Sequence, residues 1–131
     1  MSNYQLSIEQ FMKNYESDIL ERVVKFVGNV IEFTRTFSKD PAGYSVAKQI
    51  IDSSGSIGAN IVEARNARTR KEFTSSLGIS FKEAKETKYW LEIAGKSRLG
   101  ERDKNIELYK ECDEICKILG KSIGKLKNKI E

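Results

Sequence analysis

The side chains that most often carry out chemistry in proteins are scarce in this sequence of 131 residues, which contains no histidine. That absence removes the usual general base, the common serine and cysteine triads, and most transition-metal sites. A di-iron carboxylate centre in a helical bundle would require a Glu-x-x-His motif on each of two helices. The sequence therefore predicts a protein that is not an enzyme, with no catalytic residue, no metal and no cofactor.

The two cysteines, Cys112 and Cys116, are spaced by about one helical turn. This spacing differs from the Cys-x-x-Cys of redox and metal sites, and no further ligands accompany them. We interpret both as small buried hydrophobic residues, and the sequence reveals no other role for them. Two cysteines cannot form a disulfide framework, and they fit a protein of the reducing cytoplasm.

Three glutamates, Glu63, Glu83 and Glu86, are the remaining acid–base candidates. Because Lys85 and Lys88 are close to two of them in the sequence, we interpret the glutamates as members of surface or interface ion pairs. The available acid–base groups are therefore few, and their spacing does not indicate catalysis.

Apolar residues recur at the helical period through most of the chain, whereas strand signals are nearly absent. This pattern predicts four helices in a single domain of residues 1–131. Their approximate bounds are 17–37, 42–66, 69–97 and 103–129. A short lead-in helix is expected before the first, opened by Ser7 with Gln10 in capping-box spacing. Because the connections are short, we predict an all-α, antiparallel, up-down-up-down four-helix bundle.

Residues 51–64, IDSSGSIGANIVEA, are unusual for a helix. They include two glycines and three serines but no lysine or arginine, in a chain of which 32% of the residues are charged. A glycine inside a helix costs roughly 0.5–1 kcal/mol relative to alanine. Gly55 and Gly58 therefore predict a close approach of the backbone to another helix.

The face of this helix that points away from the predicted core carries a stripe of polar residues. They recur at spacings of three and four residues: Gln49, Ser53, Ser56, Asn60 and Glu63. A solvated helix face in this protein is expected to carry lysine and glutamate, so the stripe favours a surface packed against another subunit. A small, polar, solvated face is the alternative.

Several apolar residues lie outside the core stripes of the first and third predicted helices. They are Leu20, Val24, Ile31, Ile79, Tyr89, Trp90 and Ile93. Apolar arcs this wide exceed what one bundle interior requires, and contiguous exposed apolar area is typical of an interface. We therefore predict a homo-oligomer. The alternative is that Trp90 covers the edge of the bundle and the others are isolated exposed residues.

Positive charge is concentrated in two segments, although the net charge is only +4. The basic residues are Arg65, Arg68, Arg70 and Lys71 after the second helix, and Lys117, Lys121, Lys125, Lys127 and Lys129 in the last helix. Because the predicted topology brings these segments to the same end, they predict a basic pole that can hold phosphates without reading sequence. The alternative is that lysines near a helix C-terminus complement the helix dipole, and that Glu16, Asp18 and Glu21 partly neutralise the pole.

The segments SSGSIGANIVEARNARTRKEF and KEAKETKYWLEIA resemble the four-helix-bundle proteins known as 23S rRNA intervening-sequence proteins. The resemblance runs from about residue 19 to residue 126. Its most specific positions are Ser53, Ser54, Ser56, Ile57, Ala59, Asn60, Ile61, Glu63, Phe73, Glu86, Thr87, Trp90 and Leu91. The pair Glu63-Ala64 is similar to the Glu-Ala branch of the family, since many members have Glu-Gly there.

This resemblance implies an antiparallel bundle that assembles into a ring of five copies and has no catalytic activity. It also implies a similarity to nucleic-acid-binding accessory proteins of diversity-generating retroelements. The residues that the resemblance makes candidates for the interface or for structural hydrogen bonds are Asn60, Glu63 and Glu86. Those that it makes candidates for contact with a polyanion are Arg65, Arg68, Arg70 and Lys71.

Two functions of different classes follow from these patterns. The first is a non-enzymatic oligomeric accessory protein that binds RNA or DNA weakly, without sequence specificity, through the basic pole. The alternative is a protein–protein interaction scaffold with no nucleic-acid role. Neither function involves a membrane or a small-molecule substrate, and we expect a cytoplasmic protein. The N-terminus lacks a signal-peptide apolar region, and no apolar run is long enough to span a bilayer.

Overall fold

The computed structural model describes the backbone of residues 3–130 and the side chains of residues 18–127. The helices are α1 (Asn3–Thr34), α2 (Pro41–Arg65), α3 (Arg70–Lys96) and α4 (Arg102–Ile130). Within the described backbone there is no strand, and the prediction of an all-α four-helix bundle is confirmed. The capping box expected at Ser7 and Gln10 concerns side chains outside the described residues. No helix of the described part is both long and apolar enough to cross a membrane.

Each helix packs against its neighbours in the sequence, and α1 closes the bundle by packing against α4. Among the described residues, α1 makes no contact with α3 and α2 makes none with α4, so these two pairs lie on the diagonals. Ser53 of α2 is beside Thr87 of α3, whereas Ile57 is beside Ser80. The residue numbers run in opposite directions, so the neighbouring helices are antiparallel.

The core consists of the apolar stripes that the helical period predicts. The apolar stripes of α1 and α3 are buried along their described length; the first comprises Ile19, Val23, Phe26, Val30 and Phe33 in α1, with Phe37 just after the helix. In α2, Ile50, Ile57 and Ile61 are fully buried, whereas Ala47 and Ile51 are only half-buried. Burying one large apolar side chain contributes about 1.5–3 kcal/mol, whereas an exposed ion pair contributes about 0–1 kcal/mol. The apolar stripes therefore hold the bundle together.

Two turns at the same end of the bundle depend on particular residues. Asp40 caps α2 by accepting a hydrogen bond of 2.8 Å from the backbone N–H of Gly43, and Pro41 occupies the first turn. The bond from Gly43 lowers the pKa of the Asp40 carboxyl. In the turn between α3 and α4, Gly100 has a φ of +76° and lies against the rings of Phe33 and Phe37. This position requires glycine because a Cβ would collide with the rings.

Candidate oligomer and nucleic-acid interfaces

The seam between α2 and α3 is built from small residues that carry hydroxyl groups. Ser53 is only 2% exposed, and its Oγ accepts a hydrogen bond of 2.9 Å from the Thr87 hydroxyl. Two turns earlier in α3, the Ser80 hydroxyl donates to the carbonyl oxygen of Ile57 at 2.8 Å. The prediction that Ser53 lies on an outward-facing stripe is therefore wrong. A serine is small and polar enough for either position, so the spacing of the stripe could not separate the seam from the outer surface.

The other four residues of the predicted stripe follow the edge of α2 that is next to α3. Gln49, Ser56 and Asn60 are separated from Ser53 by four, three and seven positions, which keeps them on one side of the helix. Gln49 and Glu63 are exposed, whereas Ser56 and Asn60 are half-buried. The Asn60 side-chain amide donates to the carbonyl oxygen of Ser56 at 2.8 Å. This edge of α2 is accessible in a single copy of the chain.

The matching edge of α3 carries acidic and apolar residues. Glu83 and Trp90 are four residues before and three residues after Thr87, so they lie on the side of α3 that is next to α2. Glu86 is exposed and Ile79 is 48% exposed on this edge. Together the two edges form what we call the α2–α3 face: Gln49, Ser56, Asn60, Glu63, Ile79, Glu83, Glu86, Trp90 and Ile93. The structure thus brings together every predicted interface residue except Ser53.

Trp90 is the largest side chain of the α2–α3 face. It is half-buried, and its ring packs edge-on against Tyr89 with 5.1 Å between the centroids. The indole Nε1 is buried, with no hydrogen-bond partner within the described part of the chain. Tyr89 is 54% exposed. Trp90 therefore covers the edge of its own bundle and also presents apolar surface outward, so the two alternatives raised by the sequence are not exclusive.

Glu83 and Glu86 form a pair of carboxyl groups on this face. Partial burial raises the pKa of Glu83, and the charge and hydrogen bond of Glu86 raise it further, while nearby Lys82 lowers it. The predicted ion pairs with Lys85 and Lys88 do not form among the described side chains. Lys88 donates to Asp113 of α4 at 2.8 Å, and Lys85 lies over the Phe81 ring at 4.8 Å. Both lysines lie on the side of α3 that is next to α4, so the acidic pair lacks their compensation.

The two glycines of the unusual segment in α2 have different surroundings. A Cβ added at Gly58 would lie 3.4 Å from Val23 Cγ1 and 3.9 Å from Leu20 Cδ1, so α1 packs closely there as the sequence predicts. A Cβ added at Gly55 would meet nothing within 4 Å. The expected close approach at Gly55 therefore does not occur within the chain.

Part of the predicted basic pole converges in one groove between α3 and α4. The groove has a volume of about 720 Å³, and its lining includes Arg70, Lys71 and Lys127 together with Thr74 and Ile123. The bend before α3 and the end of α4 thus lie at the same end of the bundle. The other pole residues whose side chains are described, namely Arg65, Arg68, Lys117, Lys121 and Lys125, are exposed outside this groove. Lys129 lies outside the described side chains.

Acidic residues weaken the pole at two places. The Thr69 hydroxyl accepts from the backbone N–H of Glu72 at 3.1 Å, and the Glu72 carboxylate accepts from the backbone N–H of Arg68 at 2.8 Å. This arrangement resembles a capping box, and the Thr-x-x-Glu spacing could have revealed it. Lys117 pairs with Asp113 at 3.2 Å. The positive field is consequently centred on Arg70, Lys71 and Lys127.

The cysteines occupy the core side of α4. Cys112 is fully buried, with its Sγ 3.3 Å from the carbonyl oxygen of Ala84, and Cys116 is also buried. The hydrogen bond with Cys116 and burial together raise the pKa of Cys112, which keeps that thiol protonated. The side chains of residues 18–127 include no group of three or more metal-binding residues.

Comparisons with known proteins agree with this architecture. The sequence profile of a family described as 23S rRNA-intervening sequence protein matches residues 15–121. A solved structure of a protein of unknown function from the S23 ribosomal protein family of Bacteroides thetaiotaomicron matches with a TM-score of 0.76 and 30% sequence identity. That match covers 83% of this chain and 97% of the other. No curated protein matches the sequence. The family match includes the whole α2–α3 face, whereas Lys125, Lys127 and Lys129 lie beyond its end.

Proposed function

Because the chain belongs to the 23S rRNA-intervening sequence protein family, we propose that it is a non-enzymatic, oligomeric accessory protein that binds nucleic acid weakly. Binding uses the groove of the basic pole and does not read sequence. The observation that carries this proposal is the convergence of Arg70, Lys71 and Lys127 from two separate helices in one groove. The resemblance of the sequence to ring-forming members supports an assembly of five copies.

The positions of Arg70 and Lys71 support a binding role over a structural one. Both residues lie in the first turn of α3, where the helix dipole is positive and a cation is unfavourable by about 0.3–1 kcal/mol. Lys121, Lys125 and Lys127 near the end of α4 complement the dipole, so stability alone accounts for them. A phosphate in the groove would offset the unfavourable interaction of Arg70 and Lys71 with the helix dipole.

Contact with phosphates through lysine and arginine predicts binding that is independent of sequence and decreases steeply with salt. The test is the retention of mixed-sequence RNA and DNA on filters at roughly 50 and 200 mM salt. The variant Arg70→Gln, Lys71→Gln, Lys127→Gln should bind at least tenfold more weakly at low salt. The slope of log affinity against log salt should become shallower by about 0.9 for each phosphate that the variant no longer neutralises.

A matched control removes the same charge elsewhere. Lys39, Lys96 and Lys110 are exposed and do not line the groove, so Lys39→Gln, Lys96→Gln, Lys110→Gln should keep most of the affinity. Equal reductions in the two triple variants would show that only net charge matters and would refute a localised site. Absence of retention by the wild type at low salt would refute nucleic-acid binding altogether.

A protein-interaction scaffold is the second candidate, and the exposed apolar side chains favour it. Val24, Tyr44, Ile79 and Tyr89 are each about half exposed or more, and exposed apolar area is typical of protein interfaces. In this case a pull-down with the tagged protein should recover one other protein in stoichiometric amount and no nucleic acid. Recovery of nucleic acid that high salt removes would favour the first candidate.

A further inference from the structure

An uncharged surface lies on the other side of α2, where α2 packs against α1. Val24 is 62% exposed there and Val62 is 39% exposed. The packing of Gly58 against Leu20 and Val23 identifies the edges of the two helices that meet, and helical spacing assigns the remaining residues. We call this surface the α1–α2 face: Leu20, Val24, Gly28, Ile31, Ile51, Gly55, Gly58 and Val62. None of these residues carries a charge.

The backbone of the α1–α2 face is bare at two places. A Cβ added at Gly28 or at Gly55 would meet nothing within 4 Å. Because the contact of Gly58 with Val23 aligns the two antiparallel helices, Gly28 and Gly55 lie at nearly the same height along the bundle. Each glycine weakens its helix by roughly 0.5–1 kcal/mol relative to alanine. No contact within the described chain offsets that cost.

We propose that the α1–α2 face of one copy packs against the α2–α3 face of the next copy, with α2 between two neighbours. This inference rests on the self-association proposed above and specifies which surfaces meet. The contact joins two different surfaces, so it runs head to tail and closes into a ring when the rotation between copies divides the circle. The two faces are on adjacent sides of the bundle and share α2. The two neighbours of each copy therefore lie on adjacent sides of its bundle and not on opposite sides.

The heights of the side chains along the bundle make the two faces complementary in charge. The hydrogen bonds across the α2–α3 seam place Glu83 and Glu86 level with residues 53–57 of α2. The packing at Gly58 places the same part of α2 level with residues 24–28 of α1. An acidic pair on one face thus stands at the height of the bare backbone on the other.

Lys25 is a positive residue at this height, and Glu21 lies one helical turn before it on the same edge of α1. Lys25 is exposed and directly follows Val24 at the outer edge of the α1–α2 face. Lys85 and Lys88 face α4, and Lys82 is the lysine of α3 that acts on Glu83. In two copies that stand parallel, Lys25 of one reaches the acidic pair of the other. A cation from the neighbour offsets the repulsion between the two carboxylates.

The apolar residues of the two faces match at the same heights. On the α2–α3 face, the glutamates lie between Ile79 on one side and Trp90 on the other. On the α1–α2 face, Lys25 and Gly28 lie between Val24 and Ile31. Parallel copies therefore bring Ile79 toward Val24 and Trp90 toward Ile31. Apolar contacts, which fill the core of specific interfaces, then lie on both sides of the charged pair.

A charge exchange tests the pairing between copies. Lys25→Glu and Glu86→Lys should each weaken assembly about tenfold or more, measured as solution mass by sedimentation over a range of concentrations. The double variant should recover most of the wild-type assembly. Because α1 and α3 make no contact with each other among the described residues, recovery in the double variant indicates pairing between copies.

A second test uses the bare glycines. Gly28→Leu and Gly55→Leu add bulk that meets no atom of the same chain within 4 Å of the new Cβ, so both variants should stay folded by circular dichroism. Both should nevertheless sediment as monomers or much weaker assemblies. Gly124→Leu is the matched control, because Gly124 also faces open space but lies on neither surface, and its assembly should be unchanged.

The possible results separate this inference from the proposed function. A wild-type protein that is monomeric at all concentrations overturns both self-association and the proposed contact. An assembled wild type overturns only the proposed contact if the double variant fails to recover, or if Gly28→Leu and Gly55→Leu both keep the wild-type mass. Recovery together with disruption by the glycine variants supports it.

Discussion

Replacing Gly100 with alanine should destabilise the bundle far more than the same change at a glycine with open space around it, such as Gly78. A φ of +76° is left-handed, and it costs a residue with a Cβ about 1–2 kcal/mol. The new Cβ would lie 2.6 Å from Phe33 Cε1 and 2.8 Å from Phe37 Cε1. These rings are buried and pack edge to face at 5.0 Å, and such overpacking costs about 1–3 kcal/mol. The expected decrease in stability is about 2–5 kcal/mol, out of a typical 5–15 kcal/mol.

The measurement is unfolding in urea followed by circular dichroism, at one fixed protein concentration because assembly makes apparent stability depend on concentration. The urea concentration at the midpoint of unfolding should fall, while the slope of the unfolding free energy against urea concentration stays the same. Gly78→Ala is the matched control, since its Cβ would meet nothing within 4 Å. This change should raise the free energy of unfolding by roughly 0.5–1 kcal/mol, because alanine favours the helix more than glycine does. A Gly100→Ala protein as stable as the wild type would refute the reasoning, because it would show that the turn is not held against the two rings.

Two further predictions concern α3 and its neighbours. Ser53→Ala and Thr87→Val should each lower the free energy of unfolding in urea by about 0.5–1.5 kcal/mol. Because the two residues share one buried hydrogen bond, the double variant should lose less than the sum of the two effects. Strictly additive effects would contradict a shared bond. At protein concentrations where the chain is unassembled, Glu83→Gln should stabilise it at neutral pH and lose this advantage below the unfolded pKa of about 4.3. The direction of this effect follows from the raised pKa of Glu83, which makes wild-type stability fall as the pH rises through that pKa. A stability difference between the two proteins that does not vary with pH would contradict the prediction.

The sequence predicted the inner faces of α1 and α3 well because large apolar residues mark them at the helical period. Phe26 and Phe73 have no other stable place than the core, so the pattern has one solution. In α2 the informative residues are small. Ser53 belongs to the seam, bonded to Thr87, while Ser56 lies at the accessible edge. Hydrophobic periodicity cannot distinguish these positions, because serine is compatible with both.

The charged residues were predictable in position but not in partner. The topology alone placed Arg70 near Lys127, because both the bend before α3 and the last turns of α4 lie at one end. The sequence did not reveal that Asp113 pairs with Lys88 and Lys117. Pairs within a helix follow from spacing, whereas a pair across helices depends on the relative height of the two helices. Side-chain packing sets that height.

The proposed contact between copies determines where the basic poles lie in the assembly. If copies pack side by side with matching heights, as the pairing of Lys25 with Glu83 and Glu86 requires, then every basic pole lies at the same end of the assembly. One groove lined by Arg70, Lys71 and Lys127 offers only a few phosphate contacts, so a single copy binds weakly. Several grooves in one plane act on the same polyanion, and linked binding sites strengthen binding without any new contact in each copy. The two faces that share α2 and the charged groove at the end of the bundle then act together, because assembly turns a weak electrostatic contact into an effective one.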